Sequence, residues 1–281
     1  MAPSVTYKLL SVDLDGTLLR RDGAVHEEDA RAVLRLQKRG IPVSIVTGRL
    51  FSGSIATARV LDLEGPIACV DGSHIVDART DVEHVHQAIT GDDAERLREI
   101  LERHQTASFL FAHDAIVYDP RGDAFAPYVK TWSTRVTQVE RVTRHPHWSH
   151  ERGILAVVAV GADGLIAESA QEIREGTGDA TYVVSFPVGR YEGVSALVVR
   201  ARGPTKGTAV RWLAAHHGIG VEEVVVVGDW VNDVPMFEVA GRSFVMGQAP
   251  EDVKLRATDR LAADGTTGGG IAEAIARAWG L

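Results

Sequence analysis

The densest run of reactive side chains is Asp13-Leu14-Asp15-Gly16-Thr17-Leu18, with two carboxylates separated by one residue. While a strand continues, residues at i and i+2 point to the same side, so Asp13 and Asp15 can face one site. Paired carboxylates repel unless a cation or a proton intervenes. The useful division is one ionised group, acting as nucleophile or metal ligand, beside one acid that carries a proton. Read alone, the run is also a turn, since Asp and Gly both favour turns. A second group is Thr47-Gly48-Arg49. A hydroxyl and a backbone N–H at a helix start can hold a phosphate or simply cap the helix. A third is Lys206, within Gly203-Pro-Thr-Lys-Gly-Thr208. It puts a cation at the positive end of a helix, which a bound anion would offset; a solvated surface lysine is the plainer reading. A fourth, Gly228-Asp229-Trp230-Val231-Asn232-Asp233, gathers oxygen ligands of the kind Mg²⁺ takes, while Asn232 or Asp233 also suits a helix cap.

Strands and helices must position these groups. Lys8–Leu14 is a short apolar run that ends in the acidic pair. Glu27–Arg39 has helical apolar spacing, an acidic first turn, a basic last turn and Gly40 as its stop. Pro42–Val46 is β-branched and ends at Thr47; a helix over about 50–61 and a strand over Pro66–Val70 follow. The far end repeats the alternation. Thr205–His217 reads as a helix, and the four valines of Val224–Val227 as a strand buried on both faces. Asn232–Val239 reads as a helix, Ser243–Met246 as a strand and Gly270–Trp279 as a closing helix. Such alternation predicts parallel βαβ units, and each reactive group then falls at a strand's carboxyl end or a helix start, where open α/β sheets bind ligands.

The middle is different. Helices near Asp92–Gln105 and Asp163–Glu175 lie among strands at Ser108–Phe111, Ile116–Tyr118, Val136–Val142, Ile154–Val160, Thr181–Val184 and Ala196–Arg200. Paired strands with few helices predict an α+β insert at about 83–201, interrupting an α/β core of 1–82 and 202–281. The insert's His145-Pro-His147-Trp148-Ser-His150 tract matches no zinc spacing and has no cysteine near it, so a solvated loop is expected. Trp132, Trp148 and Tyr191 are expected to serve that domain's core.

Composition narrows the function classes. Of 281 residues, 45% are hydrophobic and 24% charged, which excludes wholesale disorder and a membrane bundle. The formal charge is 30 − 38 = −8 with no basic block, against a nucleic-acid partner. An anionic substrate would therefore need a metal or local cations. Cys69 stands alone and cannot form an intramolecular disulfide. No apolar run approaches a membrane span and the N-terminus lacks an apolar signal core, so a cytoplasmic location is expected.

Taken together and in order, the acidic loop, Thr-Gly-Arg, the lysine and Gly-Asp-x-x-Asn-Asp resemble the haloacid dehalogenase superfamily. The place of the insert, and the tail Val245-Met-Gly-Gln-Ala249 followed by Asp264-Gly265, resemble its Cof-type (class IIB) branch. The resemblance implies a Rossmann-like core with a parallel sheet, an α+β (C2B-type) cap, Mg²⁺ and hydrolysis of small-molecule phosphomonoesters. It makes Asp13 the nucleophile that forms an aspartyl phosphate, and Asp15 the acid that protonates the leaving oxygen and then activates water. Mg²⁺ would sit on Asp13, the Asp15 carbonyl and Asp229. Leu14, Thr47, Gly48, Lys206 and Asn232 would hold phosphoryl oxygens, with Asp233, Gly16, Thr17 and Arg49 in support. Trp230 and Arg190 are candidate substrate contacts, with packing under the cap the plainer reading for Trp230. The chain departs from the pattern twice: Asp71-Gly72 stands where the family usually has Asn-Gly, and Trp230 where a small residue is usual. A phosphomutase of the same superfamily is the runner-up, and a non-catalytic phospholigand-binding protein the third reading. Substrate identity and oligomeric state do not follow from the residues.

Overall fold

The structure is a computed structural model and describes residues 6–189 and 191–281. The chain divides into two compact units. One comprises the chain up to Gly48, Ser54–Val85 and Pro204–Leu281; the other comprises Arg49–Gly53 and His86–Gly203.

In the first unit a five-stranded sheet runs, in spatial order, Asp259–Arg260, Arg242–Val245, Val224–Gly228, Leu9–Val12, Val43–Ile45. All four pairings are parallel. Val224–Gly228 is the middle strand and Leu9–Val12 lies beside it, paired on both edges; both are buried throughout, and Leu9–Val12 is apolar apart from Ser11. From Leu9–Val12 the early part of the chain proceeds to one side of the sheet and the late part to the other. The topological switch point therefore lies between the central pair, and Asp13 and Asp229 leave their carboxyl ends there. Helix Lys206–His216 packs Val210, Leu213 and Ala214 with Leu9, Val224 and Val226 in one core. The closing helix Gly270–Trp279 packs on Glu27–Gln37, and Asp29, buried between them, accepts from Gly269 N at 2.9 Å and Ala272 N at 2.7 Å. In the sequence Asp29 is one acid of an acidic first turn; in the fold it caps a helix 240 residues away.

Local differences from the sequence reading have physical causes. The helix expected over 50–61 is a 3₁₀ turn, Phe51–Gly53, followed by a short helix, Ile55–Val60. Pro66–Cys69 belongs to a separate three-stranded sheet with His74–Asp77 and Glu83–His86, strands the sequence reading left out. It meets the parallel sheet at the Val46–Ala68 bridge, and Ser44 Oγ donates to Pro66 O at 2.7 Å. The helix expected at Asn232 begins as a 3₁₀ turn, Val231–Asp233, before Val234–Val239.

The second unit is α+β. Its six strands run Thr181–Pro187, Val194–Ala201, Ala156–Ala162, Ala107–Ala112, Ala115–Tyr118, Val136–Gln138, antiparallel except for the last pair. Helices Gly91–His104 and Asp163–Thr177 bury Leu97, Ile100, Leu101, Ile166 and Ile173 in its core. Val136–Gln138 is shorter than expected because Val142 N is drawn to Asp119 Oδ2 at 3.2 Å instead of a ladder. Arg49–Gly53 groups with this unit: Leu50 N donates to Trp132 O at 3.0 Å, and Ser52 N to Asp114 Oδ1 at 2.8 Å. Trp148 is core, its Nε1 donating to Val142 O at 2.9 Å. Trp132 is half-buried and Tyr191 exposed. Rather than a solvated loop, the histidine tract forms a 3₁₀ turn, Pro146–Ser149, with the His147 ring stacked on His113 at 4.6 Å between centroids.

Candidate active site

The site grows from the carboxyl end of Leu9–Val12. Asp13 N donates to Val227 O at 2.9 Å, which holds the backbone in sheet register one residue past the strand. Beyond it the chain turns tightly through Gly16, whose φ of +76° suits glycine. A Cβ there would stand 2.5 Å from Asp229 Oδ2, so the Asp-x-Asp-Gly loop and Asp229 can close together only around a glycine.

Lys206 is the hub. It opens its helix just after Thr205, whose side chain accepts from Thr208 N at 3.1 Å in a reciprocal cap. Its Nζ, 1% exposed with the rest of the side chain, lies 2.5 Å from Asp13 Oδ1 and 2.6 Å from Asp233 Oδ1. Burial alone would push the ammonium down, but Asp13 and Asp233, with Asp71 behind them, raise it above the ordinary lysine value. The lysine is therefore a buried cation fixed by two acids, not a solvated surface residue.

Asp233 is fully spoken for. Its second oxygen accepts from Asp229 N at 2.8 Å and Trp230 N at 2.9 Å, pinning the loop after Val224–Gly228. Gly228 must be small here, since a Cβ would lie 2.5 Å from the Asp233 carboxylate. Asp229 is half-buried, and its Oδ2 accepts from Gln248 Nε2 at 2.9 Å. The same amide nitrogen donates to Gly16 O at 2.7 Å, and Gln248 Oε1 accepts from Gly265 N at 2.9 Å. Gln248 thus joins the acidic loop, Asp229 and the Gly265 turn. Sequence reading noted its segment but gave it no role; a carboxamide flanked by Gly and Ala near a strand end was the only available signal.

Asp13, Asp229 and Asp233 bring ligand oxygens within 4.8 Å of one another. Asp13 is raised well above an ordinary carboxylate by burial, with Asp233 and Asp229 adding to it and Lys206 opposing. Asp229 is pushed up to about 6 by burial and then Asp233, against the Gln248 bond and Lys206. Three acids crowding one ammonium is an arrangement that a divalent cation relieves, and an all-oxygen donor set is the chemistry Mg²⁺ takes. These residues fit such an ion.

Thr47 is buried, with its N–H on Ala68 O at 2.8 Å and its carbonyl accepting from Asp71 N at 2.9 Å. Gly48 is exposed beside Asp71. Val70 and Asp71 are both left-handed, at φ 49° and 52°. Non-glycine residues held there cost about 1–3 kcal/mol each and cluster at functional sites. Asn232 Nδ2 donates to Asp71 Oδ1 at 3.0 Å. Asp15 is exposed, and Leu14 buries its side chain completely, so only its main chain is left for a ligand. Thr17 is buried, its Oγ1 without a hydrogen-bond partner among the described residues. Trp230 is 49% exposed. Arg49 groups with the second unit, its guanidinium donating to Gly53 O at 3.2 Å. Arg190 lies outside the described residues.

The description of haloacid dehalogenase-like hydrolases matches residues 10–275. Pyridoxal phosphate phosphatase YbhA of Escherichia coli is 27% identical, the match covering 90% of this chain and 92% of that protein. Phosphoglycolate phosphatase of Methanopyrus kandleri is also 27% identical, over 94% of each. A haloacid dehalogenase-like hydrolase from Bacteroides thetaiotaomicron shares the fold with a TM-score of 0.83 at 23% identity, over 97% of this chain and 99% of that one. A subclass IIB sugar phosphatase does so with a TM-score of 0.73 at 19% identity, over 95% of each. The chain therefore belongs to the haloacid dehalogenase-like hydrolases, with the fold of their Cof-type, class IIB branch.

Proposed function

We propose that this phosphoric monoester hydrolase cleaves small-molecule phosphomonoesters through an aspartyl phosphate on Asp13, with Mg²⁺ as cofactor. One observation carries the reading: the buried Lys206 ammonium bonded at once to Asp13 and Asp233, at the sheet's switch point. Binding alone has no use for a carboxylate nucleophile held there beside an exposed second acid.

Asp13 attacks phosphorus in line and the ester oxygen departs, so one hard displacement becomes two easier ones. Asp15 gives the departing oxygen its proton and later takes one from the attacking water. Lys206, Thr47, the Gly48 and Leu14 amides and Asn232 hold the phosphoryl oxygens as charge shifts between them. Asp233 keeps Lys206 aimed, and Gln248 keeps Asp229 aimed. Mg²⁺, held by Asp13, Asp229 and the Asp15 carbonyl, would supply positive charge that offsets repulsion between the anionic nucleophile and its anionic substrate. The second unit, which we read as the cap, chooses the leaving group, and Trp230 is a candidate substrate contact.

The YbhA name refers to pyridoxal phosphate, and a Bacillus subtilis relative, 24% identical, is named for a phosphoribitylamino-uracil. Both are phosphorylated small molecules with a planar ring, and their esters head the panel to be screened. The experiment is phosphate release from a metabolite panel with and without Mg²⁺, with products analysed for isomerised sugar phosphates. Release by the wild type and its loss in Asp13→Asn is the expected result. Isomerisation without free phosphate would make the chain a mutase instead.

A further inference from the structure

Asp71 stands outside the acid–base and metal work, yet its side chain reaches several parts of the phosphate pocket. Its backbone N–H bonds Thr47 O at 2.9 Å, so the turn it occupies rides on the Thr47–Gly48 loop. Its Oδ1 accepts from Asn232 Nδ2 at 3.0 Å and lies 3.6 Å from where a Cβ would stand on Gly48. The backbone reaches this position only by turning left-handed at Val70 and Asp71, with Gly72 at φ 100° against Thr205 O. The carboxylate is thus delivered between two groups that we assign to phosphoryl oxygens.

We propose that Asp71 is a positioning residue that fixes the Asn232 carboxamide, and that its negative charge holds the pocket's affinity for inorganic phosphate down so that product leaves readily. The inference rests on the phosphatase reading. A carboxylate only accepts, so it must take an N–H of Asn232, and this decides which way the carboxamide faces. A side-chain amide at 71 could meet Asn232 in either sense. The charge count supports the second half. Asp13, Asp71, Asp229 and Asp233 face one lysine, so with a divalent cation the sum is −4 + 3 = −1 before a phosphate dianion enters. Of the four, Asp13 and Asp229 serve as nucleophile and ligands, Asp233 is committed to Lys206 and the Asp229–Trp230 amides, and Asp71 is the one packed against Gly48.

The test uses Asp71→Asn, which keeps size, tolerates the left-handed backbone and removes the charge, and Asp71→Gly, which suits φ 52° and removes the grip as well. Phosphate affinity is read by calorimetric titration with inorganic phosphate at fixed pH and Mg²⁺, alongside kcat and KM for p-nitrophenyl phosphate. Asp71→Asn should bind phosphate about tenfold more tightly, the scale of one charge several ångströms away in a partly solvated site. Asp71→Gly should bind less tightly than Asp71→Asn, and that difference should vanish in an Asn232→Ala background, a result that loss of fold alone would not give. Equal phosphate affinity in the wild type and Asp71→Asn, with turnover intact, overturns the role of Asp71 alone. A difference between the two variants that persists without Asn232 overturns the positioning half. A wild type that releases no phosphate from any ester overturns the phosphatase reading itself.

Discussion

Lys206→Met replaces a buried ammonium by an apolar side chain of similar length. Lys206 is 1% exposed, so water cannot take the ammonium's place beside Asp13 and Asp233. Removing one partner of a buried charge pair costs about 3–5 kcal/mol, because the other charge stays buried without compensation. Here the lower end applies. Asp13 already binds its proton more tightly than an ordinary carboxylate, through burial and its acidic neighbours, so protonation limits the loss. About 3 kcal/mol corresponds to roughly 100-fold faster amide exchange wherever exchange follows opening of the first unit. Hydrogen exchange read by mass spectrometry resolves peptides covering Leu9–Val12 and Val224–Gly228 from those of the second unit, which should keep their protection. Adding Mg²⁺ should restore part of the lost protection, since a divalent cation on Asp13 and Asp229 replaces some of the missing charge. Turnover of p-nitrophenyl phosphate should fall about 10²–10³-fold even with Mg²⁺, the loss expected when one preorganised stabiliser of developing charge is removed. Unchanged exchange in EDTA would refute the picture of Lys206 as the ion that holds the carboxylates together.

Three further outcomes follow from other parts of the molecule. Gly16→Ala puts a Cβ 2.5 Å from Asp229 Oδ2 at a φ of +76°, so it should weaken Mg²⁺ or Mn²⁺ binding; unaltered Mn²⁺ affinity by electron paramagnetic resonance would count against the closed loop. Asp15→Asn should slow aspartyl phosphate formation from alkyl phosphates about 10²–10⁴-fold but much less from p-nitrophenyl phosphate, whose leaving group needs no proton; equal first-step losses in pre-steady-state kinetics would make Asp15 structural. In the second unit, burial and then His145, His113 and His150 push His147 down from 6.5 to about 4, and His113 and His145 are lowered too. The unfolded chain then binds protons that the folded unit refuses, so stability should decline as pH falls from about 6.5 towards 5, with no slope from these groups above 7. A urea midpoint for Trp148 fluorescence that stays flat over that window would contradict the sign.

What the sequence shows and what it hides divide by the range of the interaction. The parallel core was legible because buried strands such as Val224–Gly228 carry their environment in their own composition, and because Asp13, Thr47, Lys206 and Asp229 each sit beside a local strand end or helix start. Residues defined by a distant partner were not legible in the same way. Asp29 looks like any acid in a first turn, and only the fold brings Gly269 and Ala272 to it. Gln248 gives no local sign that Gly16, 232 residues earlier, will accept its amide hydrogen. Asp71 was visible as a departure from a pattern, but its bond to Asn232, 161 residues away, supplies the reason to assign it a duty. Lys206 combines both cases. A lysine opening a helix is locally unfavourable, which a bound anion would offset, although a solvated surface lysine is the plainer reading of the sequence alone. The structure answers with two carboxylates, Asp13 and Asp233, so the local conflict is resolved within the chain.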